Sequence, residues 1–407
     1  MWRDGRGAGR RTLCDMSTTR YEGLDPGRDL GAVLRLLNHA FATPTDAGER
    51  WIGSMGVEHV RVLRTARGVE ACLVRIPMGQ YFGGRSVPML GVAGVAVAPE
   101  SRGRGLAREI MRELVAEGAR EGTAISTLYP STQALYRQVG YEAAGHRHQV
   151  RIAATHIGVR ERGGEVVALG GGHEGDVRAG YARFAAKFDG MLDRGEYAWS
   201  RVRDFRGTLY TGFGVVGEGG LAGYVYLHQR RNPETMRQDL LVSDFVFDGA
   251  WAGRRLWGFL ADFATVADEV RFFGGAWHPA LHLLDQQRQR VEFGNYWMTR
   301  VLDAPAAFAA RGYAPGLDAE IQLEINDDLV DANTGRWVLR VRDGRGTLER
   351  GGRGEVRLGP RGLAACFSGL VSGPALEACG LAEGDGARLA LLGGMLATGS
   401  PWMVDFF

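Results

Sequence analysis

The stretch VAVAPESRGRGLAREI, residues 95–110, constrains the fold more than any other part of this sequence. Its first residues, Val95, Ala96 and Val97, continue an apolar segment that is typical of a buried strand. Arginine and glycine follow, and from Leu106 onward apolar side chains recur at the spacing of a helix. A strand that enters a helix through a glycine loop belongs to α/β architecture. We therefore predict a mixed α/β (α+β) fold.

The loop Arg102-Gly103-Arg104-Gly105 has the chemistry to bind a pyrophosphate. Gly103 and Gly105 let the backbone approach a ligand closely and adopt unusual dihedral angles. The first turn of the following helix leaves its N–H groups unpaired at the positive end of the helix dipole, and the two arginines add charged donors. The spacing is neither that of a P-loop nor that of a dinucleotide fingerprint. Taken alone, the loop is equally consistent with an arginine- and glycine-rich surface turn that binds nothing.

A chain of 407 residues, 45% of them apolar, is long enough for two or three domains with cores of their own. Strand-like segments and helical periodicity alternate through its first part. The predicted elements there are, in order, a helix over 29–42, a short helix near 48–55, strands within 59–65, 70–84 and 87–99, the helix after the loop, a strand over 124–130, a helix over 131–140 and a strand over 141–154. The last hundred residues or so are strand-like first and helix-like afterwards.

A second segment repeats the strand–loop–helix pattern. Residues 239–267 align with the first pattern at an offset of 150 without gaps, so that Gly253 falls on Gly103. Ala252, however, replaces Arg102. This indicates a duplicated unit in which both copies are strand, loop and helix, while the second copy has lost the loop chemistry.

The charge distribution points away from nucleic acids and membranes. The net charge is +2, and the first twenty residues carry five Arg against two Asp. We predict a disordered basic tail over residues 1–19, with a basic binding arm as the alternative. No run of about 18 apolar residues and no signal-peptide core occurs, so we expect a cytoplasmic protein without a membrane segment.

Cysteine and histidine give no metal site. Cys14, Cys72, Cys366 and Cys379 form no CxxC motif, and we predict that they are small core residues in a reducing compartment. The histidines are scattered without the spacing of metal ligands. We therefore predict no metal.

Two motifs carry a family resemblance. The segment 97–107 resembles the acetyl-CoA-binding signature of the GNAT acetyltransferases, R/Q-x-x-G-x-G/A, with Arg102, Gly105 and Ala107 at the defining positions. Downstream, ALYRQVGY at 134–141 resembles the LYxxxGF/Y segment of the same superfamily. The predicted order of strands and helices agrees with that resemblance.

More narrowly, residues 20–407 are similar to the enhanced intracellular survival (Eis-type) acetyltransferases. The resemblance implies an acetyl-CoA-binding GNAT domain over 20–150, a degenerate GNAT-like domain over 151–304 and a sterol-carrier-like domain over 305–407. In that family the C-terminal carboxylate reaches into the active site. This would explain why the chain ends in the apolar PWMVDFF rather than in a polar tail.

The resemblance also implies acetyl-CoA as cosubstrate and a set of residues that bind it. Backbone groups of the strand would bind pantetheine, with an N–H near Val97 on the thioester oxygen. The next loop would bind the pyrophosphate, and two residues capping the following short helix would line the other side of the cofactor. The residues are Val95, Ala96, Val97, Arg102, Gly103, Arg104, Gly105, Leu106, Ala107, Arg108, Ser131 and Thr132.

For catalysis, the matched motif makes Tyr136 the proton donor to the leaving thiolate, with Tyr129 and Tyr141 as competitors. The α-carboxylate of Phe407 would be the proton acceptor. Its ordinary pKa of roughly 3.3–3.7 keeps it ionised near neutral pH. The alternatives are a packed tyrosine with a satisfied hydroxyl and a buried terminus paired with an arginine.

The acceptors implied by the resemblance are cationic amines, including aminoglycosides at several positions, and also lysine side chains or polyamines. Asp46, Glu49 and Asp405 would add negative charge to the acceptor pocket, or are solvated carboxylates. A homohexamer built as a trimer of dimers is also implied. The competing hypothesis is an apolar-ligand-binding protein with a vestigial acetyltransferase domain. It is disfavoured because residues 97–108 retain the arginines and glycines that the repeat has lost.

Overall fold

The computed structural model describes residues 19–397 and 399–407, so the predicted tail lies outside it except for Thr19. The chain forms two compact units. One comprises the chain up to Val74 together with Gly94–Glu113, and the other comprises Arg75–Ala93 together with Leu114–Phe407. Within the described part of the chain, no helix is both long enough and apolar enough to cross a membrane.

The first unit contains two helices, a small antiparallel sheet and the glycine loop, and three of its elements continue into the second unit. In chain order the elements are β1 (Arg20–Gly23), α1 (Pro26–Phe41), α2 (Thr45–Met55), β2 (Val60–Thr65), β3 (Gly68–Phe82), β4 (Arg85–Val97) and α3 (Leu106–Arg120). Helix α1 begins where Asp25 accepts a hydrogen bond from the N–H of Gly27, with Pro26 in its first turn. Its buried residues Val33 and Leu37 belong to the core of this unit.

The second unit contains the rest of a long mixed sheet and the helices that cover it. The elements are β5 (Ile125–Leu128), α4 (Gln133–Arg137), β6 (Glu142–Ala153), β7 (Glu165–Ala168), α5 (Glu174–Ala185), β8 (Leu192–Asp193), α6 (Glu196–Arg203), β9 (Asp204–Phe205), β10 (Thr208–Leu209), β11 (Thr211–Gly217), β12 (Gly220–Arg231), β13 (Gln238–Phe247), α7 (Gly249–Ala261), β14 (Ala267–Gly274) and β15 (Arg290–Val301). The strand order is β4-β5-β15-β6-β14-β13-β12-β11-β7. Strand β5 is parallel to β4, whereas β15 is antiparallel to both of its neighbours.

Strand β15 is the main feature that the sequence patterns did not predict. It comes from the region assigned to the second domain, yet it lies between β5 and β6 of the first. Met298 pairs with Leu128 on one side, and Tyr296 pairs with His146 on the other. Strand β6 in turn pairs with β14, so the two acetyltransferase-like regions share one continuous sheet.

The repeat keeps the strand and the helix, but the prediction of a loop in both copies is wrong. Helix α7 starts at Gly249, directly after β13, so the residues aligned with the glycine loop are helical. The physical reason is visible in the substitutions. Gly105 has a φ of +88°, a conformation that favours glycine, and Arg255 replaces it in the repeat. With that glycine and Arg102 gone, the segment continues as ordinary helix.

The C-terminal region folds as a five-stranded sheet with helices. Its elements are α8 (Ala304–Ala310), β16 (Ala319–Ile325), β17 (Gly335–Arg342), β18 (Arg345–Arg350), β19 (Val356–Leu358), α9 (Pro360–Ser368), α10 (Gly373–Ala378), β20 (Ala382–Gly384) and α11 (Gly386–Leu396). The strand order is β18-β17-β16-β19-β20. The last residues leave this region and run beside β6, where Trp402 forms a bridge with His146.

The cysteine prediction is correct for two residues and wrong for one. Cys72 and Cys366 are buried, and burial raises the pKa of each thiol to about 12. Cys379, at the end of α10, is exposed and is therefore not a core residue. Cys14 lies outside the described residues. Among residues 19–397 and 399–407, no cluster of three or more histidine, cysteine or acidic side chains could hold a metal ion.

Candidate active site

The glycine loop of the first unit is an open turn between β4 and α3. Gly103 and Gly105 have φ values of +78° and +88°, and nothing lies within 4 Å of the position where a side chain would begin. Arg102 and Arg108 are exposed on either side. Helix α3 begins at Leu106, so its free N–H groups face the loop. This geometry suits a large anion.

Arg104 differs from Arg102 because its side chain also contacts residues that hold the loop in place. Its Nη1 lies 3.6 Å from a carboxylate oxygen of Glu70 and 3.3 Å from the hydroxyl of Ser101. Ser101 in turn donates to Glu70, whose backbone carbonyl accepts from the N–H of Ala98 at 2.8 Å. Glu70 is buried, and through these contacts it holds Ala98 and Ser101 before the loop and Arg104 within it. Sequence patterns gave no indication of its role.

Strand β4 has an irregular backbone conformation at Gly94, just before the predicted cofactor-binding residues. Gly94 has a φ of +61°, and a Cβ there would lie 2.6 Å from the ring of Trp51. After it, Val95 and Val97 are half-buried while Ala96 is buried. Glycine within an apolar strand is the signal for such an irregularity, and it was available in the sequence.

Tyr136 lies on the short helix α4 in the second unit. Its side chain is 4% exposed, and burial raises the pKa of the phenol, while a hydrogen bond with Ser131 acts in the opposite direction. The phenol therefore stays protonated at neutral pH and can donate a proton. Helix α4 has five residues rather than the predicted two turns. Thr132 occupies its N-cap position without a side-chain capping bond, so the predicted capping role of Thr132 is wrong.

The two competing tyrosines have other tasks. The Tyr141 hydroxyl donates to Ser126 at 2.7 Å, and the Tyr129 hydroxyl donates to the backbone carbonyl of Asp405 at 2.8 Å. Burial raises the pKa of both phenols. Tyr141 is therefore a core residue, as expected from its place at the start of β6. Tyr129, directly after β5, holds the C-terminal segment.

The last residue lies beside strands β4 and β5. The ring of Phe407 is near Gly91 of β4, where a Cβ would lie 3.1 Å from Phe407 Cε2. The ring of Tyr129 is 5.8 Å from that of Phe407 and 4.6 Å from that of Phe406. Phe407 is 9% exposed and is therefore buried.

Arginines from two elements hold the backbone of this segment. Arg147 on β6 donates to the carbonyl of Val404 at 2.9 Å, and Arg201 on α6 donates to the carbonyl of Phe406 at 3.1 Å. Sequence patterns did not single out these arginines. The charge of Arg147 also acts to lower the pKa of the nearby Asp405 carboxyl, although burial is the larger effect and raises it.

A buried ion pair anchors Asp405. Arg194 donates to Asp405 at 2.9 Å and makes two bonds of 2.7 Å to Asp244. Burial raises the pKa of Asp405, while Arg194 acts in the opposite direction. Asp405 therefore has a structural role, because its ion pair with Arg194 holds the C-terminal segment to the fold. Asp46 is exposed and pairs with Arg50 of the same helix at 2.9 Å.

Glu49 lines a groove between α1 and α2 with a volume of about 430 Å³. Neither Asp46 nor Asp405 is among the residues that line this groove.

Comparison with known protein families matches all three regions. Two family models described as acetyltransferase (GNAT) domains match residues 27–144 and 190–301, and a sterol carrier protein domain matches residues 304–404. The second acetyltransferase match ends at Val301, the last residue of β15.

Solved structures agree over almost the whole chain. A GCN5-related N-acetyltransferase from Kribbella flavida is 30% identical with a TM-score of 0.83, and the match covers 96% of this chain and 98% of that one. Another from Anabaena variabilis is 29% identical with a TM-score of 0.91, covering 96% of this chain and 100% of that one. The N-acetyltransferase Eis of Mycobacterium tuberculosis is 28% identical over 64% of this chain and 65% of its own length. The chain therefore belongs to the GCN5-related N-acetyltransferases of the Eis type, and it uses acetyl-CoA as acetyl donor.

Proposed function

We propose that this enzyme transfers the acetyl group of acetyl-CoA to amines of cationic small molecules, including aminoglycosides at more than one position. Lysine side chains and polyamines belong to the same chemical class. Arg102 and Arg108, with the N–H groups from Gly103 to Ala107, would bind the pyrophosphate. The backbone of Val95 to Val97 would bind pantetheine. Ser131 and Thr132 would line the other side of the cofactor.

The reaction is a direct transfer. The carboxylate of Phe407 takes a proton from the acceptor ammonium, and the neutral amine attacks the thioester carbonyl carbon, so that a C–N bond forms. The N–H near Val97 stabilises the developing oxyanion. As the intermediate collapses the C–S bond breaks, and Tyr136 donates its phenolic proton to the sulfur. The nitrogen releases its second proton to solvent in the same collapse, so that the products are an acetamide, free coenzyme A and one proton. The proton held by Phe407 passes through solvent to the Tyr136 phenolate, which returns both groups to their starting forms.

The observation that carries this proposal is the anchoring of the C-terminal segment. Tyr129, Arg147 and Arg201 each donate to one of its carbonyls, and Asp405 pairs with Arg194. Terminal residues ordinarily fray into solvent, whereas the ring of Phe407 lies against Gly91 of β4. Such fixation is expected if the carboxylate of Phe407 takes part in catalysis. Electrostatic attraction would also draw cationic acceptors to an ionised terminus.

The test is thiol release from acetyl-CoA with a panel of aminoglycosides and simple amines, using enzyme with an untagged C-terminus. A second form carries two extra residues after Phe407, and a third carries the same two residues before Met1 as the matched control. We expect turnover in the first and third forms and loss of turnover in the second, with unchanged melting temperature. Equal turnover in all three would refute the terminal base. Absence of acetyl-CoA binding would favour the apolar-ligand-binding alternative.

We also propose a homo-oligomer, with the hexamer as the expected state. The observation in its favour is an open strand edge. Among the described residues, β5 covers only Met298–Val301 of β15, so residues 290–297 pair with β6 on one side and have no strand on the other. Phe293 and Tyr296, in that earlier part of the strand, are 55% and 41% exposed. An apolar strand edge in this position is suited to burial against another copy. Light scattering gives the mass directly, and a monomer at micromolar concentration would contradict the proposal.

A further inference from the structure

The turn that follows Tyr136 is held by side chains from outside the catalytic segment. The carbonyl of Tyr136 accepts from the N–H groups of Val139 and Tyr141, both at 3.1 Å. The carbonyl of Val139 accepts from Nε of Arg300 at 3.1 Å. Gly140 between them has a φ of +85°. The backbone of the turn is therefore closed on itself and tied to strand β15.

The C-terminal region reaches the same turn at two further points. Arg300 is fully buried, and its Nη2 makes bonds of 2.6 and 2.7 Å to Asp327, which follows β16. A Cβ on Gly140 would lie 2.6 Å from Arg300 Nε and 2.8 Å from Pro360 Cβ, at the start of α9. The turn is thus packed between a buried arginine and the first residue of a helix from the sterol-carrier-like domain.

A second ion pair joins the far end of the turn to α9. Glu142, the first residue of β6, is buried. Arg361 of α9 donates to it at 2.8 and 2.6 Å, and Arg137, the neighbour of Tyr136, donates to it at 2.8 Å. One carboxylate therefore connects the residue after Tyr136 to the sterol-carrier-like domain. Buried carboxylates with charge-assisted donors of this kind fix the geometry of the groups around them.

We propose that the sterol-carrier-like domain positions Tyr136 for proton transfer, through Arg361 on Glu142 and through Asp327 on Arg300. This inference rests on the proposed role of Tyr136 as proton donor. Arg361, Glu142 and Arg300 are positioning residues. The domain then has a catalytic purpose besides delivering the C-terminus, because the proton donor lies on a five-residue helix that is too short to hold itself in place.

Arg361→Gln is the informative variant, because the Arg361 side chain is 42% exposed and Arg137 still satisfies Glu142 after the change. We expect kcat to fall about tenfold, since a displacement of the order of 1 Å in a reacting group costs up to about a hundredfold. The KM for acetyl-CoA stays within about twofold because binding is not affected. Arg361→Lys retains a charged donor and recovers part of the loss.

Arg357→Gln is the matched control. Arg357 lies on β19 of the same domain, is 61% exposed and pairs with acidic side chains at the surface. It should leave kcat and KM unchanged. Circular dichroism and the melting temperature verify that both variants are folded.

A double-mutant cycle with Tyr136→Phe separates positioning from a general structural effect. If Arg361 acts through Tyr136, then Arg361→Gln has no further effect on kcat once the phenol is absent. An equal loss in both backgrounds, or no loss in the parent enzyme, would overturn the inference while the proposed function stands. If Tyr136→Phe itself leaves kcat unchanged, the proposed proton donor is wrong, and the inference falls with it.

Discussion

At the scale of single residues, three tyrosines that follow β5 in the chain have different roles because their hydroxyl partners differ. Tyr141 donates to Ser126, and Tyr129 donates to a backbone carbonyl of the C-terminal segment. Tyr136 instead has the hydroxyl of Ser131 as its partner. A serine hydroxyl can exchange donor and acceptor roles, so this phenol can release its proton without leaving an unsatisfied carbonyl behind.

The first prediction concerns these phenols. We expect Tyr136→Phe to lower kcat by about a hundredfold or more, because general acid catalysis contributes about 10²–10⁴. Binding of acetyl-CoA should stay within about twofold. The comparison variant Tyr141→Phe should destabilise the protein by about 1 kcal/mol through its lost hydrogen bond and leave kcat nearly unchanged. Steady-state kinetics and thermal melts measure both. A larger kcat loss in Tyr141→Phe than in Tyr136→Phe would reverse the assignment.

A second prediction at this scale concerns Gly91. A Cβ there would lie 2.5 Å from Cε of Met78 and 3.1 Å from Cε2 of Phe407. The Met78 side chain can move, whereas Phe407 is fixed by the anchored segment. Gly91→Ala should therefore shift the end of the chain and reduce kcat about tenfold or more. Gly53→Ala in α2, where nothing lies within 4 Å of the new methyl group, is the control and should retain full activity. Wild-type kcat in a folded Gly91→Ala enzyme would contradict the proposed role of the terminus.

At the scale of elements, β1, α1 and β2 are joined by a buried carboxylate. Asp29 of α1 accepts from Arg28 at 3.0 Å and from Arg64 of β2 at 2.8 Å. Arg64 also bonds Glu22 of β1 at 2.7 Å. The hydrogen bond from Arg28, followed by that from Arg64, lowers the pKa of Asp29 to about 2. The start of α1 is therefore held by charge as well as by its cap.

This network predicts a specific pH dependence of stability. Because the pKa of Asp29 is about 2 in the folded state and ordinarily 3.8, its ionised form contributes stability that is complete above pH 3.8 and lost as the pH falls through 2. Asp29→Asn should therefore melt lower than the wild type at pH 7, and the difference should shrink between pH 4 and pH 2. Asp46→Asn removes an exposed pair within one helix and should follow the wild-type curve. A constant difference between Asp29→Asn and wild type over this pH range would contradict the assignment.

Elements that are determined by residues close together in the chain could be predicted from the sequence. The strand before the loop, helix α3 and the segment around Tyr136 follow from local spacing and from two family motifs. Strand β15 could not be predicted in its place, because the pairing of Thr299 with Thr127 joins residues far apart in the chain. Alternation in residues 290–301 could have indicated a strand, but no local pattern states which partners it takes.

The same limit applies to the site. Tyr136 and the loop glycines lie within motifs, whereas the groups that hold the C-terminal segment come from separate elements. Arg147, Arg194 and Arg201 are ordinary arginines in a sequence rich in them. Only tertiary structure distinguishes those that bond a carbonyl of this segment or Asp405 from the many at the surface.

At the scale of the whole molecule, the domains do not follow one another as independent units. Strand β15 supplies Trp297, Met298 and Thr299, all fully buried, to the space between β5 and β6. The Thr299 hydroxyl lies 2.9 Å from that of Thr127 on β5. On its other edge, strand β6 pairs with β14. Each acetyltransferase-like region therefore completes the sheet of the other.

The last prediction follows from that exchange. A fragment of residues 1–160 lacks β15, so β5 and β6 would be left with unpaired backbone groups and an uncovered apolar surface. We expect this fragment to show no cooperative melting transition. A fragment of residues 1–303 retains β15 and should melt cooperatively, although below the full chain, because Arg300 loses its partner Asp327. Circular dichroism melts of the two fragments and the full chain decide the matter. A sharp transition in residues 1–160 alone would show that the first region folds without the strand, and that β15 is an addition to a finished sheet rather than part of its core.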